Sequence, residues 1–336
     1  MKTLPSKPRA GYKGMPYLLS PRSRKSILFV FSIAVVLVGC FSFVHAWSLQ
    51  SQQPSSESTQ GTPAAAPKLS TIFVTARFKD GTRAGLSTGD IEIKADGKPV
   101  TVQETHEVVG APLYYCLLFD SSRSQRDRFK LQQDEATELL SKVVKAGSDH
   151  GVLVDFSDNY YLDGEGTNPQ VFVNRIAVQR PEGLGTALYD AAVASADHMS
   201  KSPAPGPRVM FIFSHSEDNE SVLNQDRALQ FVLRAGIRIY VIGQLPPRDS
   251  KYLRPVKAVR TLRQLAETTG GKAYFPEERD VGKAVADITD DLTNLCAVTF
   301  ALPGQKKDGQ LHKLEVKCSK KDVSIRAPDR YAAPQP

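Results

Sequence analysis

Two rhythms of apolar residues divide the chain. Residues 71–78 alternate apolar and polar positions and run into the turn Lys79, Asp80, Gly81. Residues 91–95 alternate likewise and end at Asp96-Gly97, a strong hairpin signal, and residues 100–108 complete a first set of three strands. Such strands bury one face, and three short ones need a partner layer. From Leu113 the pattern changes. Residues 113–119 are apolar without a break, as a parallel strand covered on both faces must be. Buried runs recur at 151–156, 209–213, 237–242 and 273–275. Between them, stripes of helical spacing predict helices at 126–145, 169–176, 186–200, 224–235, 258–268 and 280–292. This alternation predicts an α/β fold, a doubly wound, mostly parallel sheet. The tail returns to period two at 296–302, 311–318 and 323–326. The simplest arrangement joins both outer sets of strands into one small β-sandwich, with the α/β domain inserted between them.

Length and charge then refine the picture. The chain has 336 residues and a formal charge of +7, which invites a nucleic-acid reading. Residues 1–25, however, carry seven basic side chains and no acidic one, and the remainder holds 36 of each sign. A neutral body offers no electrostatic footprint for nucleic acid. The basic segment precedes an apolar run at 27–44, about 18 residues and just enough to span a bilayer. Lys and Arg resist translocation, so the N-terminus is expected in the cytoplasm and the body outside it, in a cell envelope. A retained anchor, cleavage after Val44-His45-Ala46, and lipidation of Cys40 within Leu37-Val38-Gly39-Cys40 are all open, and each exports the body.

The expected organisation is therefore a basic segment (1–25), a membrane or signal segment (26–46) and a flexible Ser/Gln/Pro/Ala-rich linker (47–68). The first part of the sandwich (69–109), the α/β domain (110–293), the second part (294–331) and a tail (332–336) follow. Cys116 reads as a buried thiol. Cys296 and Cys318 lie in two C-terminal strands, and a disulfide is plausible there if those strands pair.

In open α/β sheets ligands bind at the carboxyl ends of the strands. The first central strand ends in Asp120-Ser121-Ser122-Arg123-Ser124, which offers a carboxylate and two hydroxyls at alternate positions. Hard oxygens of this kind suit Mg²⁺, Mn²⁺ or Ca²⁺. Gly183-Leu184-Gly185-Thr186 then opens a helix, and the third strand ends in Ser214-His215-Ser216-Glu217-Asp218-Asn219.

With these motifs, residues from about 110 to 292 resemble a von Willebrand factor type A domain. The flanking strands resemble bacterial exported proteins that carry such a domain between β-rich segments. The resemblance implies a metal-ion-dependent adhesion site, with Asp120, Ser122, Ser124 and Thr186 on its ligand positions and Mg²⁺ or Mn²⁺ as the ion. It also implies a protein partner whose Asp or Glu completes the coordination, and binding without catalysis. One departure stands out, because the family's usual Asp after the third strand is here His215. A unit charge about 5 Å from a divalent ion is worth roughly 6–7 kcal/mol at an effective dielectric near 20, before desolvation. A weakened or pH-sensitive site is expected, unless Glu217 or Asp218 swings in.

Enzyme readings fare worse. Ser214-His215-Ser216 sets a histidine between hydroxyls, but sequence neighbours on a strand point to opposite faces. There is no Gly-x-Ser-x-Gly elbow and no phosphate loop. Asp155 and Asp158 read as loop residues, and Arg123 as a surface side chain or a contact for an acidic partner.

Overall fold

The computed structural model describes residues 68–204, 206–243, 256–276, 280–302 and 308–333. The chain opens with β1 (Lys68–Phe78), β2 (Ile91–Ala95), β3 (Lys98–Val100) and β4 (Val102–Glu107). Next come β5 (Tyr114–Asp120), a 3-10 turn over Arg123–Arg128, α1 (Phe129–Val143), β6 (His150–Phe156), β7 (Tyr160–Gly166) and α2 (Pro169–Val178). They are followed by α3 (Leu188–Lys201), β8 (Arg208–Phe213), α4 (Gln225–Arg234), β9 (Ile237–Ile242), α5 (Val256–Thr268), β10 (Lys272–Tyr274) and α6 (Val281–Thr293). Four strands close the chain: β11 (Leu295–Leu302), β12 (Leu311–Cys318), β13 (Val323–Arg326) and β14 (Arg330–Ala332). The basic segment, the membrane or signal segment and the linker up to residue 67 lie outside the described residues. Among the described residues no helix is long and apolar enough to cross a membrane.

The central sheet runs in the order β10-β9-β8-β5-β6-β7. Five strands are parallel, and β7 pairs antiparallel with β6 at one edge. The uninterrupted apolar run in β5 follows from burial on both faces. Tyr115, Leu117 and Phe119 pack with α1, α2 and α6, while Tyr114, Cys116 and Leu118 pack with α3, α4 and α5. All six side chains are fully buried, so truncating Leu117 or Phe119 to Ala costs about 2–5 kcal/mol. The pattern did not predict β7. Its sequence, YYLDGEG, alternates poorly and carries two glycines, because one edge strand needs neither two apolar faces nor a strict period. The expected helix 126–145 begins three residues late, at Phe129, after the 3-10 turn.

The outer strands form two four-stranded sheets, β13-β1-β11-β4 and β14-β12-β2-β3. One core lies between them, with Val74, Val298 and Phe300 from the first sheet meeting Ile91, Ile93 and Leu314 from the second. The strand expected at 100–108 is two strands in different sheets. The chain changes sheets at Thr101, whose carbonyl accepts from the Ala301 amide at 3.1 Å. β11 and β12 likewise belong to different sheets, so the condition for a Cys296–Cys318 disulfide fails and both thiols are free.

Sandwich and central sheet meet around Asp291 of α6, which is 1% exposed. Its carboxylate lies 3.0 Å from Arg326 Nη1, 3.7 Å from Arg238 Nη2 and 3.9 Å from Arg77 Nη2, and the Tyr240 hydroxyl donates to it. Burial pushes the Asp291 carboxyl up, but the surrounding arginines outweigh it and hold the group below the usual range.

Candidate functional site

Strand order reverses beside β5, so the crevice beyond its carboxyl end is where a doubly wound sheet binds ligands. Asp120 is the last residue of β5 and is completely buried. Its Oδ1 accepts from the Ser122 amide at 2.9 Å, and its Oδ2 accepts from Gln125 Nε2 at 2.7 Å and the Ser214 hydroxyl at 2.6 Å. All three donors are neutral. Gln132 Nε2, from α1, holds the Asp120 carbonyl at 2.8 Å and fixes the strand end.

Three loops converge here. Within the first, the hydroxyls of Ser122 and Ser124 lie 2.8 Å apart. The second, leading to Thr186, is bound to the first by backbone bonds: the Glu182 amide to the Ser121 carbonyl at 2.7 Å, and the Arg123 amide to the Gly183 carbonyl at 3.1 Å. Gly183 has φ +78°, and a Cβ there would come 2.9 Å from Ser157 Cβ, so only glycine fits. Asp158 fastens this loop by accepting from the Leu184 amide at 2.8 Å and from the Gly185 amide. The third loop follows β8. Ser216 Oγ lies 2.8 Å from Ser124 Oγ and accepts from Gln125 Nε2 at 2.9 Å. Asn219 grips Thr186 on both backbone groups, its side-chain oxygen taking the Thr186 amide at 2.8 Å and its own amide donating to the Thr186 carbonyl at 3.2 Å.

The structure thus brings Asp120, Ser122 and Ser124 into one bonded cluster. It places Thr186, 3% exposed, on a loop tied to that cluster through its backbone. Thr186 precedes α3 by two residues rather than opening it, because Asn219 and the β6 loop claim the backbone before Leu188: the Ala187 amide donates to the Ser157 carbonyl at 2.8 Å. His215 is half-buried, and its Nδ1 is a buried atom without a hydrogen-bond partner. Desolvation lowers its pKa, the Asp120 charge pulls the other way, and Arg128 adds to the lowering. The ring is therefore neutral at pH 7 and returns none of the negative charge that an Asp would bring.

Neither acidic neighbour swings in. Asp218 accepts from the Tyr189 amide at 2.9 Å and from the Ser221 hydroxyl at 2.7 Å, which commits it to the start of α3, and Glu217 pairs with Lys257. Sequence reasoning missed Gln125, Ser214 and Ser216. Ser214 and Ser216 are two apart, so strand periodicity sends them to the same side, and that was the available signal. Gln125 gave none, because its reach depends on the 3-10 turn.

The donor set fits a hard divalent cation in two respects. A carboxylate buried to this degree among neutral donors is a group that pairing or metal coordination completes. The Ser122 and Ser124 hydroxyls beside it, 2.8 Å apart and hydrogen-bonded to each other, add two hard oxygens of the type such an ion takes. Among the described residues no group of three His, Cys, Asp or Glu side chains is placed to hold a metal. Any ion here rests on one carboxylate and hydroxyls.

No family model matches the chain, and no curated protein matches it. Solved structures similar to it include von Willebrand factor type A proteins. BatB from Bacteroides thetaiotaomicron is 12% identical over 53% of this chain and 97% of its own, with a TM-score of 0.43. A von Willebrand factor type A protein from Catenulispora acidiphila is 10% identical over 80% and 74%, with a TM-score of 0.44. Proximal thread matrix protein 1 from the mussel byssus, with a zinc-occupied MIDAS motif, is 14% identical over 58% and 48%, with a TM-score of 0.45.

Proposed function

We propose that the chain is an envelope-tethered protein-binding or adhesion module of the von Willebrand factor type A kind. In this reading an N-terminal anchor and a linker carry a β-sandwich with the α/β domain inserted in it. Asp120, Ser122, Ser124 and Thr186 would hold Mg²⁺ or Mn²⁺, and the bound ion would supply an open position for an Asp or Glu of a protein partner. The observation that carries the reading is the buried Asp120 carboxylate beside the two hydroxyl oxygens of Ser122 and Ser124. A hydrolase using His215 is the least favoured reading, because Ser214 already donates to Asp120 and Ser216 bonds Ser124 and Gln125. The test is thermal. Millimolar Mg²⁺ or Mn²⁺ raises the melting temperature, Thr186→Ala abolishes the rise, and no shift in the unsubstituted protein sinks the metal assignment. Pull-down from detergent-solubilised envelope, with and without chelator, tests partner and metal together.

A second reading is a metal-independent scaffold with the same fold. It is favoured by the way Gln125 and Ser214 both satisfy Asp120 Oδ2 and Ser216 closes on Ser124. His215→Asp separates the two, because metal binding in that variant alone marks the native site as degenerate.

A further inference from the structure

A second candidate surface lies between the sandwich and the central sheet, around the start of β9 rather than its carboxyl end, where the loops of the Asp120 site gather. A cleft of about 530 Å³ runs there between β1 and β14, floored by the end of α4 and the start of β9. Strand pairing explains it. β11 pairs with β1 from Lys68 to Thr75, but β13 pairs only from Thr75 to Phe78 and then leaves for β14 in the other sheet. Among the described residues, the β13-side edge of β1 is therefore unpaired over 68–74. Residues on one edge of a strand recur every second position. The Ser324 hydroxyl donates to the Arg77 carbonyl across that edge, and Arg238 Nη1 reaches the Phe73 carbonyl at 3.5 Å. Thr71 and Leu69 share this parity, so their amides and carbonyls face the cleft. Leu69 is 55% exposed.

The opposite wall is positive. Arg330 stands there and Arg234 on the floor beside it, and no acidic side chain of the described residues lines the cleft. Arg234 reaches the Gly309 carbonyl at 3.5 Å and lies over the Phe231 ring at 5.9 Å, with no carboxylate partner among the described residues. The carboxylates around Tyr331, Asp96 and Asp308, are both engaged by His312, at 2.6 and 3.1 Å. An unpaired strand edge facing two arginines suits one class of occupant. We propose that this cleft binds an acidic, extended segment of a protein partner, which adds as a strand to β1 and sets a carboxylate against Arg330 and Arg234. The backbone of Leu69 and Thr71 supplies the ladder, and Arg238 stops it at Phe73. Affinity comes from main-chain bonds and selectivity from the arginines, so the site works independently of Asp120 and of any ion.

The test uses the full chain in detergent and labelled peptides of about seven residues, alternating valine with glutamate or valine with lysine. The glutamate peptide is expected to bind, the lysine peptide to bind at least about tenfold more weakly, and N-methylation of the ladder-facing amides to abolish binding. Arg330→Glu should reverse the preference, and Arg330→Gln should remove it while leaving the melting temperature unchanged. Absence of binding, equal affinity for the two peptides, or indifference to N-methylation overturns the proposal. Binding that persists in Asp120→Asn separates this surface from the Asp120 site, and loss there counts against it.

Discussion

Asp120 and Asp291 are both buried carboxylates, and they are satisfied in opposite ways. Asp291 sits at the junction of sandwich and sheet among Arg326, Arg238 and Arg77, with a tyrosine hydroxyl besides. Asp120 sits at an open strand end among an amide, a carboxamide and a hydroxyl. Full positive partners make the first a clasp that excludes ligands. Neutral donors leave the second with charge to offer. Burial is the same at both carboxylates, and the charge of the partners is what differs.

The clasp is the costlier to break. Asp291→Ala leaves Arg238, 3% exposed, without its buried counter-charge, and a loss of about 3–5 kcal/mol is expected in urea unfolding. A much smaller loss would mean that water replaces the carboxylate. Asp120→Asn keeps the shape but sets an NH2 donor where one accepting oxygen stood, so it cannot accept all three hydrogen bonds. A loss of about 1–3 kcal/mol is expected, together with loss of any Mg²⁺- or Mn²⁺-dependent rise in melting temperature. A rise that survives assigns the ion elsewhere. His215→Asp adds a carboxylate where a neutral ring now stands, and titration calorimetry should show Mn²⁺ affinity tightening at least about tenfold, or about 1.4 kcal/mol. Unchanged affinity would mean that the side chain at 215 does not feel the ion.

The smallest effect contrasts the two signs of pH dependence. Asp291 has a depressed pKa, so its contribution is present above the unfolded value near 3.9 and fades as pH falls through the folded one. Burial lowers the His312 pKa, but hydrogen bonds to Asp308 and Asp96 overcome that and raise it. Its contribution is therefore complete below about pH 6.5 and is lost as pH rises through the folded value. Melting temperature should drift down from about pH 6 to 8, and His312→Gln should flatten that limb.

The β5 run was legible because burial on both faces leaves no polar position to blur it. The Asp-x-Ser-x-Ser ending was legible because its residues are consecutive. Strand β7 was hidden by its edge position, and the β3–β4 break at Thr101 by a sheet change that alternation does not register. Of the rest of the Asp120 cluster, Gln125 depends on the 3-10 turn, and Ser214 and Ser216 come from three-dimensional closure over 94 and 91 residues of sequence. No local pattern encodes such distances. The commitment of Asp218 to α3 was equally out of reach, since it depends on where the following loop folds back.

Strand β1 is paired along β11 from Lys68 with Leu302 to Thr75 with Leu295. Leu295 is also the point where the chain emerges from α6, and its carbonyl takes the Val108 amide at 3.0 Å on the way in. Tension entering at Lys68 and borne at the Asp120 loops would thus pull the two strands past each other lengthwise. Every rung of the ladder then carries load at once, rather than parting one by one as in a zipper, which is the geometry that holds longest under a steady pull.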